Sequence, residues 1–464
     1  MLQEPAVCRL MPYIIMNYEQ TLEFLYSQLP AYHRVGKAAY KGDLATTITL
    51  DNYFGNPHKK YHTIHIAGTN GKGSVSHMIA SVLQEAGYKT GLYTSPHLRD
   101  FRERMRVNGE MIPEDSVVVF VDKHKGIFEK LKPSFFEMTV AMAFDYFAVR
   151  AVDVAVIEVG LGGRLDSTNI INPLLSVITN IGHDHMDLLG NTPEKIAAEK
   201  AGIIKKSMPV VISETQPDVK EVFVTRAAET GSMISFADER FLCCLLENDN
   251  QSGERRYTVT DLLTHRKFEG TTVLCGDYQS RNLQAVFSSI LNLRSIFKVT
   301  HRNISDGIMN VVRNTGLAGR WQILNLKPLT ICDIAHNREG LEFVIEQIRI
   351  IPKSELHIIL GFVNDKDLNS ILPLFPAEAK YYFTKATVPR ALNEEVLRAE
   401  AARFGLAGDS YPDVKTALDH AMATAGKSDL IFIGGSTFIV ADVVGSEPFP
   451  GSGIGNRSPV EVKK

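Results

Sequence analysis

The chain has 464 residues, more than one hydrophobic core ordinarily supports, so two domains are expected. Hydrophobic residues make up 44% and charged residues 22%, the proportions of an ordinary globular protein. A formal net charge of −3 gives no electrostatic reason to expect nucleic acid or an anionic membrane as partner, and no apolar run reaches the ~20 residues of a membrane span.

The opening "MLQEPAVCRLMPYIIMNYEQ" has a lone Arg9, an apolar patch broken by Pro12 and no small-residue cleavage site, so it reads as a poor signal peptide. Met16 is a candidate start, and residues 1–16 read as an N-terminal extension. "PAYHRVGKAAYKGDL" reads as a loop. "YHTIHIAG" reads as a strand and runs into "GTNGKGS". Val75, Met78, Ile79, Val82, Leu83 and Ala86 then fall at helical spacing on one face, with Gly87 as a stop. "KTGLYTS", "DVAVIEVG", "LLSVITNIG" and "PVVIS" are further strands. The stretch from about Phe241 to Asp277 alternates polar and apolar residues and predicts a small antiparallel sheet, with "RRYTVTDLL" and "TTVLC" as strands.

A second α/β set follows "GLAGRW", with strands "LTICDIA", "ELHIILGF", "KYYFT" and "DLIFIGG". The expected fold is therefore α/β. A phosphate-loop domain with a mainly parallel sheet and a small antiparallel one spans 17–318, and a Rossmann-like domain spans 319–445. Residues 446–464, rich in Gly, Pro and Ser, predict a disordered tail. Five cysteines without C-x-x-C spacing point to a reducing cytoplasm.

Strand, glycine loop and amphipathic helix is the context a phosphate site requires: backbone N–H groups and the helix dipole face the anion. The spacing differs from the usual phosphate loop, which has four residues between its first Gly and Gly-Lys. Here only Thr69 and Asn70 separate Gly68 from Gly71, and Gly73 separates Lys72 from Ser74. Glu158 ends an apolar strand, where an acid can hold Mg²⁺ beside phosphates or simply close a turn. In "TNIGHDHMDLLGNTPEKIAAEKAGII", Thr192 and Pro193 start a helix and Gly202 ends it. Lys200 falls in its last turn, where the helix dipole alone would favour a cation.

Together "HIAGTNGKGS", "YTSPHL", "FRERMRVNGE", "FFEMTVAMAF", "EVGLGGRLDSTN", "GHDHMDLLGNT", "AAEKAGI", "GRWQ" and "CDIAHN" resemble, in order, the folylpolyglutamate synthase/dihydrofolate synthase family of the Mur ligase superfamily. The resemblance covers about residues 18–340, and extends more loosely through "GFVNDKD", "KATVPRA" and "GGSTFIVAD". It accounts for the short loop spacing.

It implies an ATP-dependent amide ligase that adds L-glutamate to dihydropteroate, to reduced folates or to both, through an acyl phosphate. On this resemblance Asn70, Gly71, Lys72, Gly73 and Ser74 cradle the phosphates, and Ser95 and Glu158 hold a first Mg²⁺. His185 bridges to a second Mg²⁺, whose ligand is Lys200 carbamylated by CO₂. Gln279 and Asn282 lie on the adenine side, Arg320 faces the γ-phosphate, and Asp333 and His336 lie near the ribose and phosphates. Phe136, Glu137 and Asp166 are expected at the pterin, although Ser167 stands where the family often has Ala. Closure of two domains over ATP, a monomeric state and a cytoplasmic location complete the expectation. The alternatives are a muramyl-peptide ligase of the cell wall, for whose additional UDP-sugar domain the segment before Gly68 is short, and a non-catalytic nucleotide switch.

Overall fold

The structure is a computed structural model and describes residues 16–28, 42–184, 186–249 and 253–444. Residues 1–15 of the expected extension, most of the "PAYHRVGKAAYKGDL" loop, His185 and the expected tail lie outside the described residues.

The apolar runs become the strands of a large sheet. They are β1 (His62–Ala67), β2 (Thr90–Tyr93), β3 (Met105–Val107), β4 (Glu110–Met111), β5 (Val154–Glu158), β6 (Leu175–Ile178), β7 (Val210–Ile212) and β8 (Ile234–Phe236). Their spatial order is β4-β3-β2-β5-β1-β6-β7-β8. Six strands run parallel, and the β3–β4 hairpin adds an antiparallel edge at β2. Both faces are covered, which is why the strands are apolar throughout instead of alternating. Val154 and Val156 face one core with the helix Lys72–Glu85, while Ala155 and Ile157 face another with the helices Glu114–Leu131 and Phe135–Val149.

The polar, alternating stretch forms a three-stranded antiparallel sheet of β9 (Phe241–Asp249), β10 (Glu254–Asp261) and β11 (Lys267–Thr272). Phe241, Tyr257 and Phe268 close on Phe287 of the helix Gln279–Leu293. The last strand starts earlier than "TTVLC" implies. Alternation in "KFEGTT" suits a strand with one wet face, whereas Leu274 and Cys275 leave the sheet and are buried.

From the helix Val311–Thr315 the chain crosses Gly316–Trp321 into a second sheet. It comprises β12 (Gln322–Leu326), β13 (Leu329–Cys332), β14 (Leu356–Leu360), β15 (Lys380–Phe383), β16 (Gly408–Ser410) and β17 (Leu430–Gly434), in the order β12-β13-β17-β14-β15-β16. β12 pairs antiparallel with β13, and the other pairs are parallel.

In the first sheet β1 is flanked by β5 and β6, and the chain leaves it first to one side and later to the other. That reversal makes a crevice at the carboxyl ends of these strands, where open α/β sheets take their ligands. The helix Lys72–Glu85 is buried from Gly73 to Leu83 on all sides, not on one face only, because the helices Gln279–Leu293 and His301–Met309 cover its outer surface. A Cβ added at Gly307 would lie 2.5 Å from the Val82 Cα, and Ser81 donates to the Gly307 carbonyl at 2.6 Å. Gly307→Ala is therefore expected to destabilise the fold by roughly 1–3 kcal/mol. The check is a urea titration: a lowered midpoint at unchanged slope is expected, and an unchanged midpoint would show that the two helices separate freely.

Candidate active site

The phosphate loop leaves β1 between two walls. A Cβ at Gly68 would sit 1.8 Å from Thr179 Oγ1, and one at Gly71, whose φ is +87°, would sit 2.4 Å from Asn282 Oδ1. Only glycine fits at either position. Thr69 N–H donates to the Asn180 carbonyl at 2.8 Å, and Asn70 N–H donates to Asn180 Oδ1 at 2.8 Å. The loop thus hangs from the end of β6, and its helix begins at Lys72 with its amides facing the crevice.

Two amines meet beneath it. Lys72 Nζ donates to the carbonyls of Gly68 and Thr69, both at 3.0 Å, and Lys200 Nζ donates to the same Gly68 carbonyl at 2.7 Å. Burial, then the nearby Lys72 charge, pushes the Lys200 amine well below its ordinary pKa. A helix-end cation pointing at solvent would not be 4% exposed as Lys200 is, so the dipole alone does not account for it. Glu158, at the end of β5, is also 4% exposed. Burial raises its pKa, partly opposed by Lys72, by the Ser95 N–H that reaches Oε2 at 3.2 Å, and by Arg320.

The linker and second sheet supply the opposite wall. The Arg320 guanidinium lies 3.1 Å from where a Cβ of Gly73 would stand, with the Glu158 oxygens 3.8 and 3.9 Å from the same point. Asp333 follows β13 and is 2% exposed; its Oδ2 accepts from Tyr278 Oη at 2.6 Å and Trp321 N–H at 2.7 Å, and its Oδ1 accepts from Ala335 N–H at 2.8 Å. Across the crevice mouth Asn70 and Asn337 exchange two amide hydrogen bonds, of 3.2 and 3.0 Å. Asp184 faces Lys366 at 3.6 Å and His336 at 3.7 Å.

A cavity of about 400 Å³ runs between these walls. Asn70 to Ser74, Ser95, Glu158 and Lys200 line it from one side, and Arg320, Asp333 and His336 from the other. Asn282 reaches its wall, while Gln279, 1% exposed, stands behind and approaches Ser74 Oγ at 3.4 Å. Lys366 and Arg390 also line it, and sequence reading assigned them no role. Their signal was position: "GFVNDKD" follows the carboxyl end of β14 and "KATVPRA" that of β15, where such sheets place ligands.

Phe136, Glu137 and Asp166 are not on the cavity wall but behind its Gly160–Gly162 edge. The Phe136 ring covers Gly160, where a Cβ would come within 2.4 Å of it. Glu137 closes a capping box, with Oε2 accepting from Ser134 N–H at 2.6 Å. Asp166 Oδ2 accepts from the Gly160 and Leu161 amides at 3.0 and 2.9 Å, and Oδ1 from the Thr168 amide and hydroxyl at 2.9 and 2.5 Å. Four internal donors therefore make this carboxylate the organiser of the loop after β5. The Thr168 hydroxyl, having donated its proton, accepts from His65 Nε2 at 2.9 Å, which fixes the imidazole as the Nε2–H tautomer with Nδ1 unpartnered.

Residues 66–290 match the Mur ligase middle domain, and 319–437 the glutamate ligase domain of Mur ligases. The dihydrofolate synthase/folylpolyglutamate synthase of Bacillus subtilis is 33% identical over 402 residues, 84% of this chain and 91% of that protein. Among solved structures, E. coli FolC in complex with DHPP and ADP superimposes with a TM-score of 0.78 at 28% identity, covering 93% of this chain and 98% of that one. A bifunctional folylpolyglutamate synthase/dihydrofolate synthase with Mn, AMPPNP and L-glutamate bound gives 0.77 at 25% identity, covering 92% and 97%.

Burial, then Lys205, drives the His65 pKa from 6.5 down to about 3. The native state keeps this ring neutral while the unfolded chain protonates it. Its stabilising contribution is thus complete above the unfolded pKa and falls by about 1.4 kcal/mol per unit as the pH drops from 6.5 toward 3. His65→Gln is expected to flatten the acid limb of unfolding free energy against pH; parallel curves for the two proteins would refute this assignment.

Proposed function

The chain belongs to the folylpolyglutamate synthase/dihydrofolate synthase family of Mur ligases, and from that premise we propose that it joins L-glutamate both to dihydropteroate and to reduced folates, cleaving ATP to ADP and phosphate. The observation that carries this reading is the single cavity into which the phosphate loop, Glu158 and Lys200 converge from one side and Arg320 and His336 from the other.

A carboxylate is a poor electrophile. Transfer of the γ-phosphoryl group to one of its oxygens gives an acyl phosphate and ADP. The glutamate amine then attacks the carbonyl carbon, the C–O bond to phosphate breaks, and the amine loses its proton. The loop residues Asn70 to Ser74 hold the phosphates, Lys72 leaving its carbonyl partners to meet them. Gln279 and Asn282 bound the adenine side. Arg320 offsets charge on the transferring group, and Asp333 and His336 stand toward ribose and phosphates.

Hydroxyl and carboxylate donors beside the phosphate loop form an oxygen-rich set of the kind Mg²⁺ prefers, so the residues fit that metal. Ser95 and Glu158 would hold the first ion, with His185 toward the pair, and Lys200 as a carbamate would hold the second. Mg²⁺ bound there screens the approach of two anions and polarises the phosphoryl group. The buried Lys200 amine, its pKa lowered, suits carbamate formation: in its neutral form the nitrogen attacks CO₂, one proton departs, and an uncharged amine becomes an anionic, carboxylate-like ligand. Phe136 offers a ring for the pterin, while Glu137 and Asp166 act there through the backbone they fix. We place the protein in the cytoplasm as a monomer, with small molecules and neither nucleic acid nor membrane as its partners; cysteines without a disulfide framework accord with that location.

Purified protein with Mg²⁺ and ATP is expected to release ADP in a glutamate-dependent manner with dihydropteroate and equally with tetrahydrofolate. Turnover with tetrahydrofolate alone would remove the dihydropteroate activity. Release that ignores glutamate would favour a nucleotide switch, and release only with a UDP-muramyl peptide a cell-wall ligase. Lys200→Ala is expected to lower kcat by at least on the order of a hundredfold, and intact-mass measurement should find the added carboxyl group on wild type only. Full activity in the variant would refute the carbamate.

A further inference from the structure

Trp321 is the one tryptophan of the chain, and it occupies an unfavourable backbone conformation. Its φ is +44°, in the left-handed region that bulky L-residues avoid, yet its side chain is 1% exposed. The linker around it is clamped. Ile334 N–H donates to the Gly319 carbonyl at 3.0 Å, Gly319 N–H to Gln322 Oε1 at 2.8 Å, and Trp321 N–H to Asp333 Oδ2 at 2.7 Å.

The indole sits in a core shared by the two halves of the molecule, with Cys275 and Tyr278 from ahead of the helix Gln279–Leu293 and Ile331 and Leu341 from the second sheet and its helix. The same joint is tied by Gln347, which accepts from Asp277 N–H at 2.7 Å and donates to the Cys275 carbonyl at 2.9 Å. The residue before Trp321 is Arg320. Its guanidinium reaches the start of the phosphate-loop helix while making a hydrogen bond of 3.1 Å to the Ala318 carbonyl. That link, within the same linker, cannot fix the direction in which the arginine leaves the main chain. The backbone at 320–321 does.

We propose that Trp321 is a positioning residue for phosphoryl transfer: its buried ring and its bond to Asp333 hold the linker in the left-handed turn that aims Arg320 at the phosphate loop. Left to itself, a residue with a Cβ relaxes out of that turn, and the arginine swings with it. The packing of the indole across the joint supplies what prevents this. The proposal rests on the reading that Arg320 faces the transferring phosphate.

The test is a double-mutant cycle on kcat in the full chain, with thermal unfolding run alongside. Trp321→Ala keeps the Cβ and loses the ring; it is expected to reduce kcat on the order of tenfold or more, with the KM for ATP changed less. Trp321→Phe is expected to restore most of kcat. In an Arg320→Lys background, itself impaired, Trp321→Ala is expected to cost less than about twofold further, because the group it positions is already gone. Equal losses in both backgrounds would overturn the proposal and leave Trp321 a packing residue. An Arg320→Lys variant with full kcat would instead overturn the role given to Arg320. Should the alanine variant not fold, Trp321→Leu enters the same cycle with the same expectations.

Discussion

The close approach of the phosphate loop to the end of β6 is the constraint on which the other arrangements depend. With Gly68 against Thr179 and Gly71 against Asn282, the loop has no room for a side chain at either position and is held close to β6. Its carbonyls consequently turn inward, where they accept from Lys72 and Lys200. Its amides are left for the crevice. A loop with bulkier residues would have to stand away from β6, and the two lysines would lose their common acceptor.

That geometry dictates the electrostatics. One carbonyl accepts from two amines here, and burial together with the Lys72 charge lowers the pKa of Lys200, the more buried of the two. Glu158 is in the complementary position: burial opposes its charge, and Lys72, Ser95 N–H and Arg320 favour it. Burial thus disfavours charge on both the acid and the amine, and Lys72 acts on each, favouring the charged form of Glu158 and disfavouring that of Lys200.

Much of this was legible in the sequence because it is local. β1, the loop and the helix behind it follow from one apolar run, three glycines and a 3.6-residue period, and the helix Pro193–Ala201 follows from Thr192, Pro193 and Gly202. What was not legible depends on partners remote in the chain. β12 and β16 are short or polar and exist because β13 and β15 offer them edges. "TTVLC" has strand composition, yet Leu274 and Cys275 serve the core instead of the ladder. Asp166 carries the pattern of a substrate carboxylate, and no sequence rule shows that four donors of its own chain occupy it. The amide pair of Asn70 and Asn337 joins residues 267 positions apart, and only the fold brings them together.

The two edges of the crevice are built differently, and the difference bears on how it works. At the joint, Trp321, Cys275 and Tyr278 are packed among aliphatic side chains and tied by Asp333 and Gln347, both 2% exposed. At the mouth the contacts are one amide pair, Asn70 with the buried Asn337, and ion pairs of 3.6–3.7 Å between part-exposed groups. Contacts of the second kind contribute little net stability, because water replaces them readily. Those of the first kind expose apolar surface when they break. A relative movement of the two halves that parted the mouth while preserving the joint would break contacts of the second kind there and open the cavity along its polar side.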